Sequence, residues 1–121
     1  MNHTATLCIG SNCDNRRSNI SAAIQRISTI STISWQSPYR ESEDVTGRGA
    51  SYLNRAVTCL TSLTADEFAQ RLAAFEKEGG RVAESKAQGK MPVDIDIVVW
   101  DNDVVSPADY NAEYFRKLFE G

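Results

Sequence analysis

Alternating, helical and again alternating hydrophobic periodicities follow one another twice along this chain, and few architectures accept that order. Ala5, Leu7 and Ile9 alternate with Thr4, Thr6 and Cys8, which predicts a strand over residues 4–9. Gly10-Ser11-Asn12 breaks it, and Ile20, Ala23, Ile24, Ile27 and Ile30 then recur at helical spacing, predicting a helix over 15–31. Its β-branched content lowers intrinsic propensity, so packing has to hold it. A second strand is expected over 33–39. Residues 40–51 are polar, carry Gly47 and Gly49 and lack a period, as a long loop would. Residues 52–60 have the content of a third strand. Thr64 and Glu67 fit a capping box that opens a second helix, Phe68, Leu72 and Phe75 give that helix its core stripe, and Gly79-Gly80 ends it. The most strand-like run is 93–100. Residues 107–121 are expected to form a short C-terminal helix touching the core through Tyr114 or Phe115 and Leu118.

The repeated strand-helix-strand order favours an α+β sandwich of the ferredoxin-like kind, a mostly antiparallel sheet with helices on one face and long loops on the other side. At 121 residues, 41% hydrophobic and 24% charged, the chain is expected to be one globular domain over 1–121. Its net charge of -3 offers no basic field for a phosphate backbone, so no nucleic-acid partner is expected. Cys8, Cys13 and Cys59 contain no C-x-x-C pair and His3 is the only histidine, too few ligands for a zinc site. No apolar run is long enough to cross a bilayer and the first residues lack a secretory pattern, which points to the reduced cytoplasm.

The chemistry concentrates in Asp94 and Asp96. Two positions apart on a strand, their side chains share one face, with α-carbons roughly 6.5 to 7 Å apart. Like charges so close disfavour joint ionisation, and divalent cations would remove that cost. The spacing suits a pair of Mg²⁺ ions, whose preference is for hard oxygen ligands; a solvated strand with two ordinary exposed acids has the same spacing. Arg81, Lys86 and Lys90 lie just upstream, in a segment 79–92 that is far longer than the usual helix-to-strand connection. A basic loop there could close over a polyphosphate, or merely solvate itself. There is no P-loop and no dinucleotide-binding glycine fingerprint, so cations must carry the phosphates of any nucleotide. Tyr52 and Asn54 share a strand face on which a ring and a carboxamide could hold a flat heterocycle, although strand tyrosines commonly serve packing. Ser11 and Asn12 fit a simple turn.

Together these segments resemble the 6-hydroxymethyl-7,8-dihydropterin pyrophosphokinase family. Leu7-Cys8-Ile9-Gly10-Ser11-Asn12 is similar to its first strand and G-S-N turn, Ser37-Pro38-Tyr39-Arg40 to its S-x-x-Y-[RE] segment, and Tyr52-Leu53-Asn54 to its [YF]-L-N motif. Glu76 with Gly80-Arg81 fits E-x-x-x-G-R, and Asp94-Ile95-Asp96-Ile97 fits D-[LI]-D-[IL]. The resemblance implies a ferredoxin-like fold that binds ATP as co-substrate and a pterin alcohol as acceptor. It also implies that Asp94 and Asp96 hold two Mg²⁺ on the phosphates, that Tyr52 and Asn54 hold the pterin, and that Arg81 belongs to a closing catalytic loop. The resembled family carries an arginine where this chain has Met91, with Lys90 one position away as the candidate substitute, so Met91→Arg is expected to raise activity if the missing cation limits the rate. Its H-Y-x-x-x-x-R-x-F segment has no clean counterpart in residues 108–116. These departures keep open a second reading, a weak or inactive ferredoxin-like module that binds nucleotide or a protein partner. Oligomeric state is not legible.

Overall fold

The computed structural model describes residues 2–43, 50–80 and 91–120. Among them the chain runs β1 (His3–Ser11), α1 (Arg16–Ile27), β2 (Thr32–Gln36), β3 (Arg40–Ser42), β4 (Tyr52–Thr61), α2 (Ala65–Glu78), β5 (Asp94–Trp100) and β6 (Asp103–Val104), followed by the short helices α3 (Pro107–Tyr110) and α4 (Glu113–Lys117). The six strands form one sheet in the order β2-β4-β1-β5-β6, with β3 paired to β4 as well, and every pairing is antiparallel. The long central strands β1 and β4 run side by side, from His3 opposite Thr61 to Ser11 opposite Leu53. This is the expected ferredoxin-like α+β sandwich.

Alternation along β1 divides the apolar residues between the sheet's two faces. Ala5, Leu7 and Ile9 meet Ile20, Ala23 and Ile27 of α1 and Phe68, Leu72 and Phe75 of α2, and this is the main core. Cys8 faces the other way, into a smaller cluster with Ala56, Val98, Phe115 and Leu118. The two long helices thus share one face, while α3 and α4 cover part of the opposite one.

Local chemistry sets the element ends. The capping box forms as expected: Thr64 N donates to Glu67 Oε1 at 3.0 Å and Glu67 N to Thr64 Oγ1 at 3.2 Å. At the other end of α2, Gly80 takes φ 99°, a left-handed value that glycine adopts without cost. The first helix stops at Ile27, short of the expected 31. Ser28 Oγ donates to Gln25 O, Thr29 Oγ1 to Arg26 O and Ser31 Oγ to Ile27 O, so three hydroxyls occupy carbonyls in and just before its last turn.

Three further expectations are corrected. Residues 40–42 lie in the stretch expected to be a loop, yet they pair with β4, Arg40 opposite Asn54 and Ser42 opposite Tyr52. The link is Ser37, whose Oγ accepts from Ala56 N at 2.8 Å and whose O accepts from Arg55 Nε at 2.7 Å. The final strand was expected to keep Val93, Ile95, Ile97 and Val99 on the core side throughout. Instead Leu7 pairs with Ile97 and Thr6 with Val99, leaving Val98 as an extra residue, a β-bulge. Beyond it the faces exchange: Val98 and Val99 pack on the smaller cluster and Trp100 on the main core. The C-terminal segment holds two short helices rather than one.

Candidate active site

Strand register assembles the candidate residues. Asp94 lies opposite Gly10 and Gly10 opposite Asn54, one row across β5, β1 and β4; Asp96, Cys8 and Ala56 form the next row on the same face. That face is turned away from α1 and α2. A cleft of about 180 Å³ opens on it, lined by Asp94, Asp96, Cys8, Gly10, Tyr52 and Asn54, with Ser42 and Glu43 from the β3 side and Tyr114 from α4. Four residues singled out by sequence, Tyr52, Asn54, Asp94 and Asp96, are therefore brought together. The other two, Arg81 and Lys90, lie outside the described residues, as do Lys86 and most of the 79–92 segment.

Gly10 is the floor of this cleft. A Cβ on it would lie 2.9 Å from Asn54 Oδ1 and 3.4 Å from Tyr52 Cδ1, so the absence of a side chain lets the Tyr-x-Asn pair lean across β1. Asn54 is oriented from the far side, where its Nδ2 donates to Ser42 Oγ at 2.8 Å and to Arg40 O at 3.4 Å. Its Oδ1 is thereby left over Gly10, an acceptor suited to the N–H edge of a heterocycle.

The opposite end is anionic. Burial first, then the charge of Asp94 and a hydrogen bond that protonated Asp96 donates to it, then Asp109 and Glu76, push the Asp96 carboxyl up to about 8. The same burial and the nearby Asp96, Asp109 and Asp94 charges push the Cys8 thiol up, so Cys8 is a neutral floor residue rather than a nucleophile. Glu76, at the end of α2, accepts from Ile95 N at 2.7 Å, fastening the strand between the two aspartates. Among the described residues no cluster of three or more His, Cys, Asp or Glu could hold a metal ion. Two half-buried carboxylates with one reluctant to ionise suit cations that bring other oxygen ligands with them, as magnesium does on a triphosphate.

The G-S-N turn does more than reverse the chain. Asn12 N donates to Met91 O at 3.1 Å, and Met91 N donates to Asn12 Oδ1 at 2.5 Å, a reciprocal clamp between the end of β1 and the approach to β5. Asn12 and Met91 are both buried. The expectation for Met91→Arg is accordingly reversed: a guanidinium forced into that position would be desolvated. The variant should lose about 2–4 kcal/mol of stability, seen as a lower thermal midpoint, and gain no activity; a more active variant of unchanged midpoint would show that the side chain reaches the phosphates.

Several contributors escaped the sequence reading. Gly10 was noted only as part of a turn motif, Tyr114 as a core contact, and Asp109 not as a site residue at all. Spacing could not have revealed the last two, since Tyr114 reaches the cleft from α4 and Asp109 acts on it from α3 through the Tyr114 hydroxyl, both after the bulge in β5.

An antiparallel ferredoxin-like sheet whose open face joins paired carboxylates to an aromatic and amide cleft describes a class of small α+β domains with a polar ligand cleft on the sheet. The particular family follows from sequence: the model of the 7,8-dihydro-6-hydroxymethylpterin-pyrophosphokinase family matches residues 6–116. The chain belongs to this family of diphosphokinases of folate synthesis. Comparison with curated proteins returns no match.

Proposed function

We propose that this chain, as a single pterin pyrophosphokinase-like domain in the cytoplasm, transfers diphosphate from ATP to 6-hydroxymethyl-7,8-dihydropterin, giving AMP and the pterin diphosphate. The observation that carries this is the register that sets Asp94 and Asp96 in one cleft with Tyr52 and Asn54. Family membership supports it. No helix of the described residues is long and apolar enough to cross a membrane.

The chain's own groups divide the work. Asp94 and Asp96 would hold two Mg²⁺, which when bound neutralise the triphosphate and let the β-phosphorus accept a nucleophile. Tyr52 stacks on the pterin and Asn54 accepts from its N–H edge, aiming the hydroxymethyl oxygen at the β-phosphorus. A new oxygen-to-phosphorus bond forms as the bond from the β-phosphorus to the oxygen it shares with the α-phosphate breaks; AMP leaves with that electron pair and the hydroxyl proton passes to solvent. Arg81 and Lys90 are assigned to the phosphates by resemblance and charge. Neither aspartate acts as general base, and catalysis is alignment plus charge neutralisation.

Titration with Mg²⁺ and a nonhydrolysable ATP analogue, followed by assay of AMP release with the pterin alcohol, tests this. Mg²⁺-dependent binding and AMP release are expected. Binding of both ligands without AMP release would instead support the inactive module, which the burial of Met91 at the expected arginine position favours. Binding of neither would overturn the proposal.

A further inference from the structure

The C-terminal helices present one side chain to the cleft, Tyr114, and the structure holds it by an unusual route. Helices of four and five residues have no independent stability, so their place depends on tertiary contacts. Phe115 and Leu118 supply these by burying themselves in the smaller cluster, and Val105 N and Ser106 N supply more by donating to Val98 O at 2.9 and 3.3 Å. The Tyr114 ring also packs against that cluster but stays only partly buried, so its hydroxyl end is left to be placed by a polar contact.

That end of the ring is held by its hydroxyl, which donates to Asp109 Oδ1. The other oxygen of Asp109 accepts from Ser106 Oγ at 2.7 Å, so both carboxylate oxygens are engaged. A continuous connection therefore runs from the Val98 carbonyl, on the strand that carries Asp94 and Asp96, through Ser106 and Asp109 to the phenol. Burial, then the bond to Asp109, push the Tyr114 hydroxyl up, so it remains a neutral donor and offers no base.

Resting on the pterin pyrophosphokinase reading above, we propose that Asp109 is a positioning residue. Through the Tyr114 hydroxyl it holds that ring as a wall of the cleft against which the pterin alcohol binds. Three features carry this: Tyr114 lines the same cleft as Tyr52 and Asn54, its hydroxyl is tied to Asp109, and Asp109 is tied to the strand of the paired aspartates. The assignment concerns acceptor recognition. Any effect on nucleotide binding comes through the charge that Asp109 places near Asp96, not through the ring.

The test compares Asp109→Ala, Asp109→Asn and Tyr114→Phe in the full chain. Asp109→Ala should raise the KM for the pterin alcohol about tenfold, the effect of one lost hydrogen bond, while any change in the KM for ATP, which follows from the charge lost near Asp96, is the same in Asp109→Ala and Asp109→Asn. Asparagine can accept from the phenol and donate to Ser106 Oγ, so Asp109→Asn should restore the KM to within about threefold of wild type. Once Tyr114→Phe is present, Asp109→Ala should add nothing. A fluorotyrosine label at position 114 gives a readout independent of turnover: its ¹⁹F resonance should shift and sharpen in Asp109→Ala and return in Asp109→Asn. A purely structural Asp109 would raise both KM values in step with a fall in thermal midpoint, and a purely electrostatic one would leave Asp109→Asn as impaired as Asp109→Ala. Either result overturns the inference, as does an unchanged fluorine resonance. Wild-type protein that binds no pterin alcohol would overturn the reading itself and this inference with it, whatever the fluorine signal does.

Discussion

Asp96→Ala is expected to lower AMP release on the order of 10³-fold or more, while Asp96→Asn makes the metal-free protein harder to unfold at pH 8. Both effects come from the same arrangement. Asp94, Asp109 and Glu76 all act on Asp96, and burial together with those charges raises its carboxyl to about 8. An unfolded aspartate loses its proton near 4. Between these limits the folded state binds the extra proton, so stability of the metal-free protein falls as pH rises from about 4 to about 8. Asparagine carries no such charge and has nearly the same shape. Discounting the shift for the part of Asp96 that water still reaches, Asp96→Asn should be about 1–3 kcal/mol more stable than wild type at pH 8 and nearly equal to it at pH 4. Thermal unfolding across that range in the presence of chelator measures this. Excess Mg²⁺ with an ATP analogue should stabilise wild type and leave the variant unmoved. A variant with wild-type turnover would remove Asp96 from the phosphate chemistry, and identical stability curves would show that its carboxyl ionises freely in the fold.

The legible and the illegible parts of this molecule divide by sequence distance. The faces of β1, the core stripe of α2 and its capping box were all readable, because each depends on neighbours within a few residues: Ala5, Leu7 and Ile9; Phe68, Leu72 and Phe75; Thr64 and Glu67. Which residues of β5 share a face was readable as far as Ile97 and wrong after it. The inserted Val98 shifts every later side chain by one, and alternation over residues 93–100 contains no sign of it. The site was legible as two separate pairs, Asp94 with Asp96 and Tyr52 with Asn54. That they occupy one cleft is a fact of register, set by β1 lying between β4 and β5, and no local pattern encodes it. The strand pairing of residues 40–42 was hidden for the same reason: it depends on Ser37 holding the backbone of β4 from 19 positions away. Resemblance crossed that distance where periodicity could not, since the motif order already joined the two pairs.

Gly10→Ala tests the shared floor directly, and its effect should fall on the pterin alone. One methyl group would arrive 2.9 Å from Asn54 Oδ1, 3.4 Å from Tyr52 Cδ1 and 3.6 Å from Leu53 O. Among the described residues Gly80 is the only glycine with a positive φ, so alanine at position 10 meets no backbone strain, and it costs less chain entropy on folding than glycine. The contact with Oδ1 must be relieved by movement of the carboxamide, which the bond from Asn54 Nδ2 to Ser42 Oγ resists from the other side. The acceptor would turn out of the cleft and the Tyr52 ring would lift with it. Losing an aimed hydrogen bond and a stacking surface together should raise the pterin KM about 10- to 100-fold, with a thermal midpoint within a few degrees of wild type and unchanged affinity for Mg²⁺ and the ATP analogue. Gly79→Ala makes the contrast: its methyl would lie 2.6 Å from Val93 Cγ1, against the main core, so it should lower the midpoint rather than raise the pterin KM selectively. If Gly10→Ala instead binds pterin as wild type does, Tyr52 and Asn54 are packing residues and the heterocycle sits elsewhere.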